Sequence, residues 1–204
     1  MEGDFLRQMM GYVEAGGFVM GPLIAATCVL WFALGWRLIT IQRGSTKSLR
    51  ELVRAYANGE RQKTRGIVDE GARRGVALVR MNLDDARSYL RDSFGDLDRE
   101  MDRFSTLVTA IVAAAPLAGL LGTVTGMIET FDSLASMSLF SQSGGIAGGI
   151  SVALISTQMG LAVAIPGLVV GRILDRKQQR LAAELDELEE LLAHKRDDIA
   201  GGQS

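Results

Sequence analysis

Three long stretches without a charged side chain divide this sequence: Ala15 to Trp36, Phe104 to Ile128, and Ser133 to Gly171. A helix rises about 1.5 Å per residue and the hydrocarbon core of a bilayer is roughly 30 Å thick, so each stretch is long enough to cross it. Lipid offers the backbone no hydrogen-bond partners, which restricts spanning segments to helices and closed barrels, and apolar runs of this length read as helices. The expectation is an all-α integral membrane protein with three transmembrane helices and long cytoplasmic helical extensions. Of the 22 basic and 24 acidic residues in the 204, all but Glu2, Asp4, Arg7 and Glu14 lie between and after the apolar runs, so the 48% hydrophobic content is segregated, not blended. The net charge of -2 averages an inner side rich in Lys and Arg with an acidic tail, and it leaves no footprint for nucleic acid.

Orientation follows from Lys and Arg, which resist translocation. Arg7 is the one basic residue before the first run, and the turn between the second and third runs has none. The other basic residues fall within Arg37 to Arg103 and Arg172 to Arg196. This places the N-terminus outside and both large polar segments in the cytoplasm. The expected organisation is a periplasmic interfacial segment over 1–16, a first span over 17–39, a cytoplasmic helical domain over 40–103, a second span over 104–128, a Ser- and Gly-rich periplasmic turn over 129–144, a third span over 145–173 and a cytoplasmic helical tail over 174–204. The residues before the first run carry Glu2, Asp4 and Glu14 against Arg7, the reverse of a secretory leader, although Ala33-Leu34-Gly35 could pass as a cleavage site.

Periodicity organises the polar parts. Phe5, Leu6, Met9, Met10 and Val13 recur at helical spacing, which suggests an amphipathic helix on the outer interface or a frayed terminus. Leu49, Leu52, Val53 and Tyr56 form one stripe, and Leu90, Phe94, Leu97, Met101 and Phe104 another, predicting two or more helices joined near Gly71 to Gly75. The second stripe runs without a Pro or Gly cluster into the second span, predicting one long helix. Leu181, Leu185, Leu188 and Leu192 recur among Glu and Lys as a bundle or coiled-coil seam.

Conventional catalytic equipment is sparse. His194, the one histidine, lies in the charged tail; Cys28, the one cysteine, lies inside the first run; no Cys or His spacing resembles a metal site and no phosphate-binding loop occurs. The expectation is a protein that is not an enzyme and uses no cofactor or metal. Of the 24 glycines, those in the spans instead repeat at three- and four-residue spacing. Gly149, Ala153, Thr157, Gly160, Ala164, Gly167 and Gly171 form one small-residue stripe; Ala115, Gly119, Gly122 and Gly126 form another. Such faces let helices approach closely in a medium where apolar side chains gain little by leaving their surroundings.

Thr123 and Thr157 admit two readings. Each can be a packing residue whose hydroxyl bonds back to its own helix, or the two can face an internal passage, where a hydroxyl both donates and accepts and so can hold water or partly replace a cation's hydration. Ser156 and Gln158 flank Thr157 and would add polar atoms to such a path. Neither the second nor the third span has a carboxylate at its centre, so a proton-conducting assembly would have to borrow one from another chain. Glu129 and Asp132 follow the second span and either mark the interface or form a charged ring at a pore mouth. Pro116 and Pro166 lie within spans, where they can kink the helices.

The phrases G-G-F-V-M-G-P-L at Gly16 to Leu23, A-P-L-A-G-L-L-G-T-V-T-G-M-I at Ala115 to Ile128, and I-S-V-A-L-I-S-T-Q-M-G-L-A-V-A-I-P-G at Ile150 to Gly167 resemble the MotA/TolQ/ExbB proton-channel family, nearest its ExbB and TolQ branch. The resemblance covers most of the chain and is weakest over Arg43 to Asp92. It implies a bacterial inner-membrane homopentamer surrounding two copies of a single-span ExbD- or TolR-like partner whose membrane aspartate carries the ion. It also implies that the motor energises TonB-dependent transport across the outer membrane, the alternatives being a TolQ-like role in envelope maintenance through a TolA-like protein or a non-conducting helical scaffold. Under the resemblance Thr123 and Thr157 correspond to the family's pore threonines. Where several ExbB proteins have a glutamate early in the third span, this sequence has Val152.

Overall fold

Six helices account for most of the computed structural model, which describes residues 16–59, 64, 66–81, 86–136 and 144–194. They are α1 (Met20–Thr40), α2 (Leu49–Ala57), α3 (Ile67–Arg80), α4 (Ala86–Asp102), α5 (Ser105–Ser136) and α6 (Gly144–His194). No strand occurs among the described residues. Three helical segments are long and apolar enough to cross a membrane, within α1, α5 and α6. The stripe over Phe5 to Val13 lies outside the described residues, as do 137–143 of the expected turn and 195–204 of the tail.

The chain divides into two compact units. The first joins Met1–Leu34 to Thr106–Gly171 and contains the three apolar helical segments. Its apolar surface is largely turned outward: Leu117, Leu120, Leu121, Val124 and Ile128 of α5 and Leu154, Ile165 and Leu168 of α6 are all exposed. Lipid or neighbouring subunits can cover such a surface; water cannot. Leu23 and Leu30 of α1 are buried, and Leu30 packs onto Gly167 beside Val112.

The second unit joins Gly35–Ser105 to Arg172–Ser204. Here each polar helix buries the stripe that its sequence carries. Leu49, Leu52, Val53 and Tyr56 of α2, Leu90, Phe94, Leu97 and Met101 of α4, and Leu181, Leu185, Leu188 and Leu192 of α6 are all buried. Helix α2 starts with a capping box, the Ser48 hydroxyl accepting from the Glu51 amide while the Glu51 carboxylate accepts from the Ser48 amide. Truncating Leu188→Ala, at a site with no exposed surface, is expected to cost about 3 kcal/mol, measured as a lower unfolding midpoint for the purified chain.

Two sequence expectations change here. Gly71 and Gly75 do not join helices; both lie inside α3, where a Cβ on Gly71 would stand 2.8 Å from Leu185 Cδ2 and one on Gly75 would overlap Leu192. They are small because leucines of α6 pack against them. The long helix expected to carry the Leu90 to Phe104 stripe into the second span is interrupted: Arg103 and Phe104 form a turn, with Phe104 in the left-handed region at φ 68°. That conformation is costly for a bulky side chain. Around it the Phe104 ring meets Trp36 edge to face at 6.4 Å, and the Arg103 guanidinium lies 5.7 Å from the Trp36 ring centre and 5.2 Å from that of Phe104. At the far end α5 extends through Ser136, into the segment expected to be a turn.

Glu70 on α3 receives Arg73 at both oxygens, 3.0 and 2.6 Å, and Arg74 at 2.6 Å. The hydrogen bond from Arg73, joined by that from Arg74 and by both positive charges and opposed by partial burial, lowers the Glu70 carboxyl from 4.5 to about 2. A carboxyl depressed on folding contributes stability above its unfolded value that is lost as pH falls through the folded one. Unfolding followed between pH 4.5 and about 2 should therefore show a loss that Glu70→Gln removes.

Candidate functional site

The second and third apolar helices meet along a seam whose width is set by backbone. A Cβ built on Gly119 would lie 2.9 Å from the Ser156 carbonyl and 3.1 Å from the Thr157 Cα; one on Gly160 would lie 2.6 Å from the Ala115 carbonyl and 3.1 Å from the Gly119 Cα. Further along, a Cβ on Gly126 would lie 2.5 Å from the Gly149 carbonyl and 2.7 Å from the Ala153 amide. As numbers rise on α5 they fall on α6, so the pair is antiparallel. Backbone atoms cannot move aside as a flexible side chain can. Only hydrogen is tolerated at these glycines, and the closeness maximises dispersion contact where the hydrophobic effect between helices is weak.

Within this seam the flanking polar residues separate. Ser156 has no exposed surface; it packs onto Gly122, and its hydroxyl donates to the carbonyls of Val152 at 2.6 Å and Ala153 at 3.2 Å. The sequence stripe had Thr157 at this level of α6, but Ser156 is the side chain that enters the seam. Thr157 stands at the margin, half-buried, and its hydroxyl donates to Ala153 of its own helix at 3.3 Å and across the seam to the Gly119 carbonyl at 3.4 Å. That reach exists because Gly119 has no side chain to block it. Thr123 is half-buried and donates to Leu120 at 2.6 Å. Ala153 and Ala164 are buried, whereas Gln158, Glu129 and Asp132 are exposed. Val152 lies beside Gly17, whose Cβ would stand 3.1 Å from it.

One seam residue, Thr130, escaped notice in the sequence, as did Thr125, which bonds within its own helix. Thr125 donates to the Gly122 carbonyl at 3.0 Å, and Thr130 is 5% exposed, donates to Gly126 at 2.8 Å and packs onto Gly149. Thr130 continues the four-residue step from Gly126, a signal hidden by its position between Glu129 and Asp132. The arrangement offers hydroxyls and carbonyls but no titratable group within the seam. Among the described residues no cluster of His, Cys, Asp and Glu could hold a metal ion.

Residues 60–187 match the family model described as the MotA/TolQ/ExbB proton channel family. Curated relatives carry related names. An ExbB-like biopolymer transport protein of Synechocystis sp. ("ExbB-like 1") is 31% identical over 178 residues, 78% of this chain and 67% of that protein. A second from the same organism ("ExbB-like 3") is 42% identical over 74 residues, 36% of this chain and 35% of that protein. The biopolymer transport protein ExbB1 of Vibrio cholerae is 32% identical over 117 residues, 55% of this chain and 51% of that protein. The chain thus spans from about a third to two thirds of the length of these relatives.

Proposed function

We propose that this chain, which belongs to the MotA/TolQ/ExbB proton channel family and is a multi-pass protein of the bacterial inner membrane, is the stator subunit of an ion-driven motor. Its N-terminus faces the periplasm. In the assembled motor, copies of the chain surround a single-span ExbD- or TolR-like partner, and inward cation flow, of protons in this reading, drives motion that a TonB- or TolA-like protein carries to the outer membrane.

The observation that carries this reading is the placement of Thr157. Its hydroxyl sits at the edge of the tightest part of the α5–α6 seam, half-buried, within reach of the Gly119 carbonyl. A hydroxyl that lends its proton to a bare carbonyl keeps its lone pairs for a passing water or cation. Thr123, half-buried on α5, adds a second such group. Since Ser105 to Ile128 and Ile146 to Gly171 hold no Asp or Glu, the group that binds and releases a proton comes from the partner chain. Ser156 is set back from this path, since it has no exposed surface and packs onto Gly122 inside the seam.

A non-conducting helical scaffold is the reading favoured by the back-bonding of Thr123 and Thr157 to their own helices. Thr157→Val separates the two, since valine keeps the shape and loses the hydroxyl. With the single-span partner co-expressed and the complex in proteoliposomes, the expected result is at least a tenfold loss of proton flux, about 1.4 kcal/mol of barrier, with assembly unchanged. Normal flux in that variant would leave the scaffold as the better account.

A further inference from the structure

Residues 37–43, at the end of α1 and just beyond it, hold α6 from two sides. Arg37 is 1% exposed, and its Nη2 donates to Asp175 Oδ1 at 3.0 Å and to Gln178 Oε1 at 2.7 Å. Arg43 donates from Nε to Glu184 Oε2 at 2.6 Å. Asp175 and Glu184 stand nine residues apart on one helix. At about 3.6 residues per turn that is about two and a half turns, so the two carboxylates leave α6 on opposite sides. The segment that reaches them is itself tied down. The Gln42 carbonyl accepts from the Ile67 amide at 2.9 Å, Arg43 Nη1 donates to the Ser45 carbonyl at 2.6 Å, and Gly66 lies so close to the backbone of Gln42 to Gly44 that a Cβ would overlap it.

We infer that residues 37–43 form a two-point ionic grip that holds the extension of α6 against rotation about its own axis. A helix held on one side can roll over the contact; a helix held on opposite sides must break an ion pair to turn. The two points differ in strength. The Arg37 guanidinium has left water, and its Nε has no acceptor among the described residues, so Asp175 and Gln178 alone hold the charge in place. Arg43 and Glu184 are 33% and 30% exposed, which makes theirs the weaker contact and the first to release. Both arginines are positioning residues.

The test uses the intact chain purified in detergent, with the exposed Cys28 replaced by alanine. Single reporter cysteines are introduced as Ala182→Cys, at a half-buried position, and Ala183→Cys, at an exposed one, and their rates of reaction with a soluble maleimide are compared. Two releasing variants are used: Arg43→Gln, and Arg37→Met combined with Asp175→Leu, which removes the ionic contact without stranding a buried charge. Each is expected to raise labelling at position 182 relative to 183 by about fivefold, and Arg43→Lys to restore the parental ratio. Unchanged ratios in both variants would overturn the inference. So would an equal rise at both reporters, which is the signature of local unfolding. The readout requires no ion flux, so it succeeds or fails independently of the proposed function.

Discussion

Gly160→Val is expected to separate α5 from α6 and to cost about 3 kcal/mol, the upper end for overpacking, seen as lost yield and a lowered unfolding midpoint in detergent. The new Cβ would lie 2.6 Å from the Ala115 carbonyl and 3.1 Å from the Gly119 Cα, and neither atom can move without moving a helix. The control is Gly148→Ala. Position 148 is also a helical glycine, but a Cβ there meets nothing within 4 Å. Losing the conformational freedom of glycine should then stabilise the chain by roughly 0.5–1 kcal/mol. Opposite signs for substitutions in the same helix would locate the seam; two neutral results would mean that α5 and α6 do not meet as described.

The second large effect belongs to the buried charge. Asp175→Leu alone leaves the Arg37 guanidinium with only Gln178 as acceptor and is expected to cost about 2 kcal/mol. The figure sits below the usual range for breaking a buried pair because the Asp175 side chain is 39% exposed and water can reach it. Adding Arg37→Met to Asp175→Leu should recover most of the loss, since the replacement is apolar and of similar volume. If the double variant melts no higher than Asp175→Leu alone, the pair is not the source of the effect. The two substitutions touch the same contact, so their non-additivity is the measurement.

The three spans were legible because lipid leaves the backbone one economical solution, and the sequence shows it as uncharged runs. The leucine stripes of α2, α4 and α6 were legible for a related reason: a polar helix can bury only one face, and period 3.6 marks it. What could not be read was which small residue faces which. Ser156 and Thr157 are neighbours with similar side chains, yet one is sealed against Gly122 and the other stands at the edge by Gly119. One helical step of about 100° separates them, finer than a stripe of small residues can resolve. Gly71 and Gly75 misled in the opposite sense, since glycine serves both turns and close packing and only the leucines of α6 decide between them.

Arg37 and Asp175 show the same division most clearly. In the sequence each is a charge just past the end of an apolar run, where a solvated head group at the membrane surface is the ordinary outcome. Nothing in local pattern couples residues 138 positions apart. By itself the sequence determined the apolar segments, their helical state and the buried faces of α2, α4 and the tail of α6, because hydrophobic periodicity and backbone satisfaction act locally. Only the tertiary structure decided the partners: the Gly119–Gly160 contact, the break at Phe104 and the burial of Arg37. Those depend on how helices distant in sequence rotate and approach, and that is set by the packing of all of them together.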